Sequence, residues 1–229
     1  MLSDIITTLE TLADPERIAF AQRTFPTDLR VIGVTNPNLR LMLRELKRDT
    51  KKWEPEQVKE LARTLVQSGV FEASWLAYEL LGSSKKTLGS LSQTDIDHLN
   101  TGIDNWVLTD TFCGNILGFA WREGTLDDEY FLDLQASPDV WQRRIAVVAT
   151  TALNVRANGG AGDADRTLLL CSGAVDDHHP MITKAVSWAL RTLVRWEPEA
   201  VENFLEEYED RLARLVLREV WRKLETGRK

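Results

Sequence analysis

The chain of 229 residues has only two cysteines, Cys113 and Cys171. Two thiols make neither a disulfide framework nor a zinc set. A reducing compartment is the natural home of such a chain, and a cytoplasmic location is expected. Histidine is almost as scarce. His98, His178 and His179 lack ligand spacing, so no metal and no cofactor is expected. The N-terminus, MLSDIITTLE, has no basic start and no long apolar run, which excludes a signal peptide. The longest apolar stretch, IAVVATTALNV, is too short to span a bilayer. Strand signals are missing too: there is no sustained period-two alternation and no Asn-Gly or Asp-Gly hairpin turn. Positive charge is in deficit, with a net charge of −7 and a pI near 5.1. That excludes a surface coated in positive charge for nucleic acid, but not a local basic groove.

What is present is helix. Asn36-Pro37 offers an N-cap and an N1 proline ahead of NLRLMLRELKRDTKKW. Glu54-Pro55 restarts a helix that ends at Gly69, and FEASWLAYELLG follows, ended by Gly82. Ser137-Pro138 opens a long helix through VWQRRIAVVATTALNVR; NGGAGD is a turn; DADRTLLLCSGA is a short helix; HHPMITKAVSWALRTLVRW is the next long one. The remaining residues read as two helices. Trp-Glu-Pro-Glu occurs at 53–56 and again at 196–199, each time between helices. With the regular helix–turn–helix rhythm, this echo predicts an all-α fold. The expected architecture is an α-solenoid of HEAT-like repeats, curved, with a concave face to bind something long. Residues 1–229 are expected to form one such domain and one monomer, with 1–30 as N-terminal capping helices.

Charge and aromatic side chains fall unevenly. The helix from Asn38 to Trp53 carries Arg40, Arg44, Lys47, Arg48, Lys51 and Lys52 against Glu45 and Asp49, six minus two, a local +4. It reads either as a solvated outer face or as a basic patch. At about 100° per residue, the core stripe of the helix from Pro180 is Ile182, Ala185, Val186, Ala189, Leu193 and Trp196. Trp188 sits at the edge of that stripe, flanked by Lys184, Arg191 and Arg195. Such an aromatic is either a platform beside a nucleic-acid backbone or a ring packed on aliphatic stems. In the helix from Pro138 the core positions are Trp141, Ile145, Val148, Ala149 and Ala152. Arg144 falls at their edge and Arg143 points to solvent, so Arg144 lines a groove or serves as a salt-bridge partner. In DNWVLTD, Trp106 and Asp110 are four apart, hence neighbours on one helix face. By themselves they are equally a core indole and a carboxylate satisfying local backbone donors.

Six stretches carry a family resemblance: IGV at 32–34 with Leu39-Arg40, GVFEASWLA at 69–77, DNWVLTD at 104–110, WQRRIA at 141–146, KAVSWALR at 184–191 and LREVWRKLETGRK at 217–229. In this order the chain resembles the AlkD-like DNA alkylation repair family, which are HEAT-repeat DNA glycosylases. The resemblance implies site roles for Trp106, Asp110, Arg144 and Trp188. Val107 stands where the family usually has an acid, and Ser74 where it often has an arginine.

The implied reaction is excision of a cationic N-alkylated purine, of the 3-methyladenine or 7-methylguanine type, from double-stranded DNA. The alkyl group makes the base a good leaving group. Asp110 would stabilise the oxocarbenium-like sugar and orient water, as the second carboxylate does in glycoside hydrolysis. Trp106 and Trp188 would pack on the sugar, and Arg144 would hold a phosphate. Lys47, Arg48, Lys51, Lys184 and Arg191 would contact the DNA backbone. The family implies no deep base pocket. Two other classes stay open: a non-catalytic relative that binds damaged or branched DNA, and a HEAT protein–protein adaptor, which the acidic charge favours.

Overall fold

The structure, a computed structural model, describes residues 1–227; Arg228 and Lys229, the end of the LREVWRKLETGRK stretch, lie outside the described residues. The fold is all-α. In chain order the helices are α1 (Leu2–Thr11), α2 (Pro15–Thr24), α3 (Asn36–Asp49), α4 (Pro55–Gln67), α5 (Phe71–Gly82), α6 (Lys85–Leu88), α7 (Gln93–Leu99), α8 (Trp106–Phe112), α9 (Gly118–Arg122), α10 (Asp128–Gln135), α11 (Val140–Asn154), α12 (Ala164–Ser172), α13 (Pro180–Leu193), α14 (Pro198–Glu207) and α15 (Arg214–Thr226). A π-helical turn, Cys113–Leu117, joins α8 to α9. No strand forms among the described residues; one isolated bridge pairs Arg30 with Val70.

Several helix starts follow the local chemistry, but two expected starts shift. The two Trp-Glu-Pro-Glu echoes are helix-restart devices: Glu54 caps α4 in a capping box with Gln57, and Glu197 stands at the N-cap of α14, each followed by its proline. One is α11, which begins at Val140 with Asp139 as its capping residue rather than at Ser137-Pro138; the other is α3. Thr35, not Asn36, is its N-cap residue, and Asn36 already has helical backbone. The same helix stops at Asp49, so Lys51, Lys52 and Trp53 lie in the connection to α4.

The chain packs as two compact units, Met1–Ile116 and the residues from Leu117 onward. In the first, α5 is the central helix, packed by α4, α3 and α8. Its Glu72 is 1% exposed and accepts the backbone N–H groups of Ile32, Gly33 and Val34 at 3.0, 2.7 and 3.3 Å. This explains the IGV stretch: three consecutive donors wrap one carboxylate. Gly33 is needed there because its φ is +89° and a Cβ would come within 2.5 Å of the Asp14 carbonyl oxygen.

In the second unit α11 is central, packed by α13, α10 and α12. From Arg144 to Asn154 every residue of α11 is buried. The expected stripe with a polar edge is therefore corrected: with neighbours on several sides, the helix has no solvent-facing edge over that length. Trp141, expected in the core, is only half-buried. Arg143 does not simply meet solvent. Its Nε is 2.8 Å from Asp177, and its Nη1 donates to the Ser137 and Pro138 carbonyls.

Candidate functional site

In the first unit, Asn105 fixes the start of α8. Its side-chain oxygen accepts from Leu108 N at 3.0 Å, a standard N-cap. Asp104 accepts from the Thr27 hydroxyl and the Asp28 backbone, which ties α8 to the segment after α2. Trp106 is then the first helical residue and Asp110 lies one turn on, so the two share a face. The indole N–H of Trp106 donates to the Thr24 carbonyl at 3.1 Å, and its ring meets Phe25 edge-on at 6.3 Å. The ring is thus held in place while staying 36% exposed. Asp110 is half-buried. Immediately beyond it the helix widens into the π turn, a feature frequent at functional sites.

Trp106 forms part of the wall of a cavity of about 430 Å³, with Phe20, Phe25, Phe71, Trp75, Arg17 and Arg40 among the other lining residues. The family pattern had implied no deep pocket here. Sequence reasoning treated residues 1–30 as a cap, yet α2 contributes Arg17 and Phe20 to this wall, with the Arg17 guanidinium 4.7 Å from the Phe20 ring centre. No local pattern marks these residues, because the chain reaches Trp106 only some eighty positions later. Elsewhere in this unit Lys47 and Lys51 line one depression with Lys52, Trp53 and Lys86. Arg48 is not among its lining residues and pairs with Asp49 at 3.1 Å.

In the second unit, His179 caps α13 by accepting from Met181 N at 3.2 Å, and Pro180 occupies the first turn. Along α13, Lys184, Trp188 and Arg191 follow at helical spacing on one flank, and Arg195 lies in the turn just beyond the helix. Lys184 and Arg195 are exposed, and Trp188 is half-buried. Trp188 lines a depression of about 250 Å³ with Arg156, Arg191, Arg195 and Lys223. Arg156 and Lys223 come from the turn after α11 and from α15, so the helical wheel of α13 had no means of finding them. Arg191 is partly committed: its Nε donates to the Ser187 carbonyl and its Nη2 lies 3.5 Å from Glu219. Arg144 is 5% exposed, and its Nη1 donates to the Met181 carbonyl at 2.7 Å. It joins α11 to the first turn of α13.

Both cysteines are buried, and burial pushes the Cys171 thiol up, away from the thiolate that a nucleophile needs. Among the described residues no group of three or more His, Cys, Asp or Glu is placed to hold a metal ion. No helix among them is long and apolar enough to cross a membrane.

The class of protein is all-α and built of helical repeats, with Trp106 and Trp188 each partly exposed at a recess that arginines also line. The family comparison makes the class specific: residues 5–224 match the model of the DNA alkylation repair enzyme family, and the chain belongs to that family. Among solved structures it is similar to a predicted DNA alkylation repair enzyme from Enterococcus faecalis, with a TM-score of 0.75 and 18% identity over 93% of this chain and 97% of that one. At that identity the likeness speaks for the fold. Among curated proteins no relative matches.

Proposed function

We propose that the protein is a DNA glycosylase that hydrolyses the N-glycosidic bond of cationic N-alkylated purines. One observation carries the reading. Trp106 and Trp188 are each partly exposed at a recess with arginines in its lining, and Asp110 shares the face of Trp106. Rings and guanidiniums together suit a sugar–phosphate backbone, through cation–π attraction and charge-assisted hydrogen bonds.

In the proposed reaction the C1′–N bond breaks and its electron pair returns to the base, which leaves neutral. The sugar becomes oxocarbenium-like, and the Asp110 carboxylate stabilises that charge. A water oxygen then bonds to C1′ and loses a proton, with Asp110 as the acceptor. No general acid is needed, because the alkylated base already carries the positive charge. Trp106 offers an electron-rich face to the developing cation, and Trp188, in the other unit, offers a ring face to the DNA backbone. Lys184, Arg191 and Arg195, with Lys47, Lys51 and Arg48 in the other unit, are assigned to DNA phosphates. For Arg144 the hydrogen bond to Met181 adds a second task to the proposed phosphate contact: it sets the start of the helix that presents Trp188.

The test is release of free base from methylated duplex DNA, read by chromatography, beside Asp110→Asn. Release by the parent and a loss of at least roughly a hundredfold in the variant is expected, the scale of removing a preorganised electrostatic group. Salt-dependent DNA binding with no release from either would instead favour the non-catalytic DNA-binding reading.

A further inference from the structure

Trp-Glu-Pro-Glu sets a tryptophan just before a helix twice, and the two rings have different surroundings. Trp196 is fully engaged. Its indole N–H donates to the Asn154 carbonyl at 2.7 Å, and the Arg156 guanidinium lies 5.0 Å from its ring centre. Gly162 leaves room for the ring, since a Cβ there would come within 2.9 Å of it. Trp53, its counterpart, is half-buried. Among the described residues its indole N–H has no acceptor, and its ring has neither an aromatic nor a cation–π partner.

Trp53 lines a recess of about 420 Å³ with four lysines, Lys47, Lys51, Lys52 and Lys86, and one acid, Glu54. Glu54 is committed to Lys86 at 3.1 Å. The acids nearest in sequence, Asp49 and Glu56, pair with Arg48 and Lys59 instead. Lys47, Lys51 and Lys52 have no carboxylate partner among the described residues. Three unneutralised ammonium groups thus share a recess with an open ring, in a chain of net charge −7. The hydroxyls of the recess are mostly occupied. Thr50 and Ser83 donate to the carbonyls of Leu46 and Leu80, and Thr87 donates to Ser84. A ligand suited to this lining carries negative charge at several points around one flat face.

We propose that the recess binds single-stranded nucleic acid, with one unpaired base on Trp53 and the adjoining phosphates on the lysines. An aromatic platform in a positive groove is how sequence-independent single-strand sites work. Inside a duplex each base face is covered by its neighbours, so a duplex can use the lysines but not the ring. Lysine, a point charge on a flexible stem, follows an irregular backbone without the fixed fork of arginine. The volume falls within the roughly 300–1,000 Å³ of small-ligand sites, enough for one nucleotide of the strand. The assignment is independent of the glycosylase reading. It gives Lys47 and Lys51 an unpaired strand as their source of phosphate, and it adds Trp53, Lys52 and Lys86 to them.

The test titrates the full chain with an oligothymidylate of about twelve nucleotides, with a blunt duplex and with thymidine monophosphate. Affinity is read by fluorescence anisotropy of labelled strands, and by competition for the mononucleotide. The Trp53 indole N–H resonance, assigned through Trp53→Leu, is followed in nitrogen–proton correlation spectra. The single strand should bind saturably and shift that signal, and the duplex should leave it in place. Trp53→Leu should weaken single-strand binding at least roughly fivefold, the lower end of one base–aromatic stack. Lys52→Gln, at an exposed position, should lower the slope of log affinity against log salt by about 0.7. Absence of saturable single-strand binding, or an affinity and salt slope that both folded variants leave unchanged, would overturn the proposal. So would a Trp53 signal that the duplex moves equally, which makes the recess a duplex contact. Mononucleotide binding as tight as that of the strand also overturns it, in favour of a small-anion site. Base release from methylated duplex is a separate readout, and neither result there alters these outcomes.

Discussion

Glu72→Gln removes almost no volume, yet it should destabilise the first unit markedly. In the parent, Oε1 accepts from Gly33 and Val34, and Oε2 accepts from Ile32. The variant's amide oxygen can keep only one side of this fork. If it keeps Gly33 and Val34, its NH₂ faces the Ile32 N–H, donor against donor. A buried donor left without an acceptor costs about 1–3 kcal/mol. The two surviving bonds fall from charge-assisted to neutral strength, roughly half. The sum is on the order of 2–4 kcal/mol. Urea denaturation read by circular dichroism measures it, with Glu72→Gln compared to the parent at neutral pH. The loop also carries Val31, Gly33 and Val34 into the wall of the aromatic cavity, so the indole signal of Trp106 should broaden or shift in the folded variant. A loss below about 0.5 kcal/mol, with that signal unmoved, would refute the idea that one carboxylate organises residues 32–34.

Three further outcomes are expected. Asp95 has its pKa held at about 2: burial pushes it up, but hydrogen bonds from the Ser92 backbone and hydroxyl and the Lys59 ammonium outweigh that. A depressed carboxyl stabilises the fold above its unfolded value near 3.9, and that contribution is lost as pH falls towards about 2. Asp95→Asn should therefore lower stability by on the order of 2 kcal/mol at pH 7, with the gap to the parent closing in acid denaturation; a gap that stays constant down to pH 2 contradicts the linkage. Gly118→Ala should cost roughly 1–3 kcal/mol in thermal or urea unfolding, because its Cβ would lie 2.2 Å from that of Ala152 on α11; a neutral result would mean α9 and α11 separate at little cost. Arg195→Gln should lower the slope of log affinity for duplex DNA against log salt by about 0.9, measured by fluorescence anisotropy, and an unchanged slope would remove Arg195 from the DNA interface.

The helices were legible in the sequence because their signals are local. Proline after an acid marks α4 and α14. The spacing of four that puts Trp106 and Asp110 on one face is a property of any α-helix. Trp188 at the edge of its stripe follows from the same rule, and the helix around it buries the expected Ile182, Ala185, Val186, Ala189 and Leu193, whereas Trp196 falls beyond the helix end and is half-buried. What the sequence left undetermined depends on how many sides of a helix are covered. A wheel assumes one buried face, whereas α11 is covered from several sides, so Arg144 is buried where an edge was expected. The aromatic cavity joins α2, α5 and α8, and the basic recess at Trp188 joins α13 to α15 and the turn after α11. Side chains brought together by long-range packing carry no periodic trace along the chain, and only the tertiary structure places Trp75 and Glu79 in the same wall as Trp106.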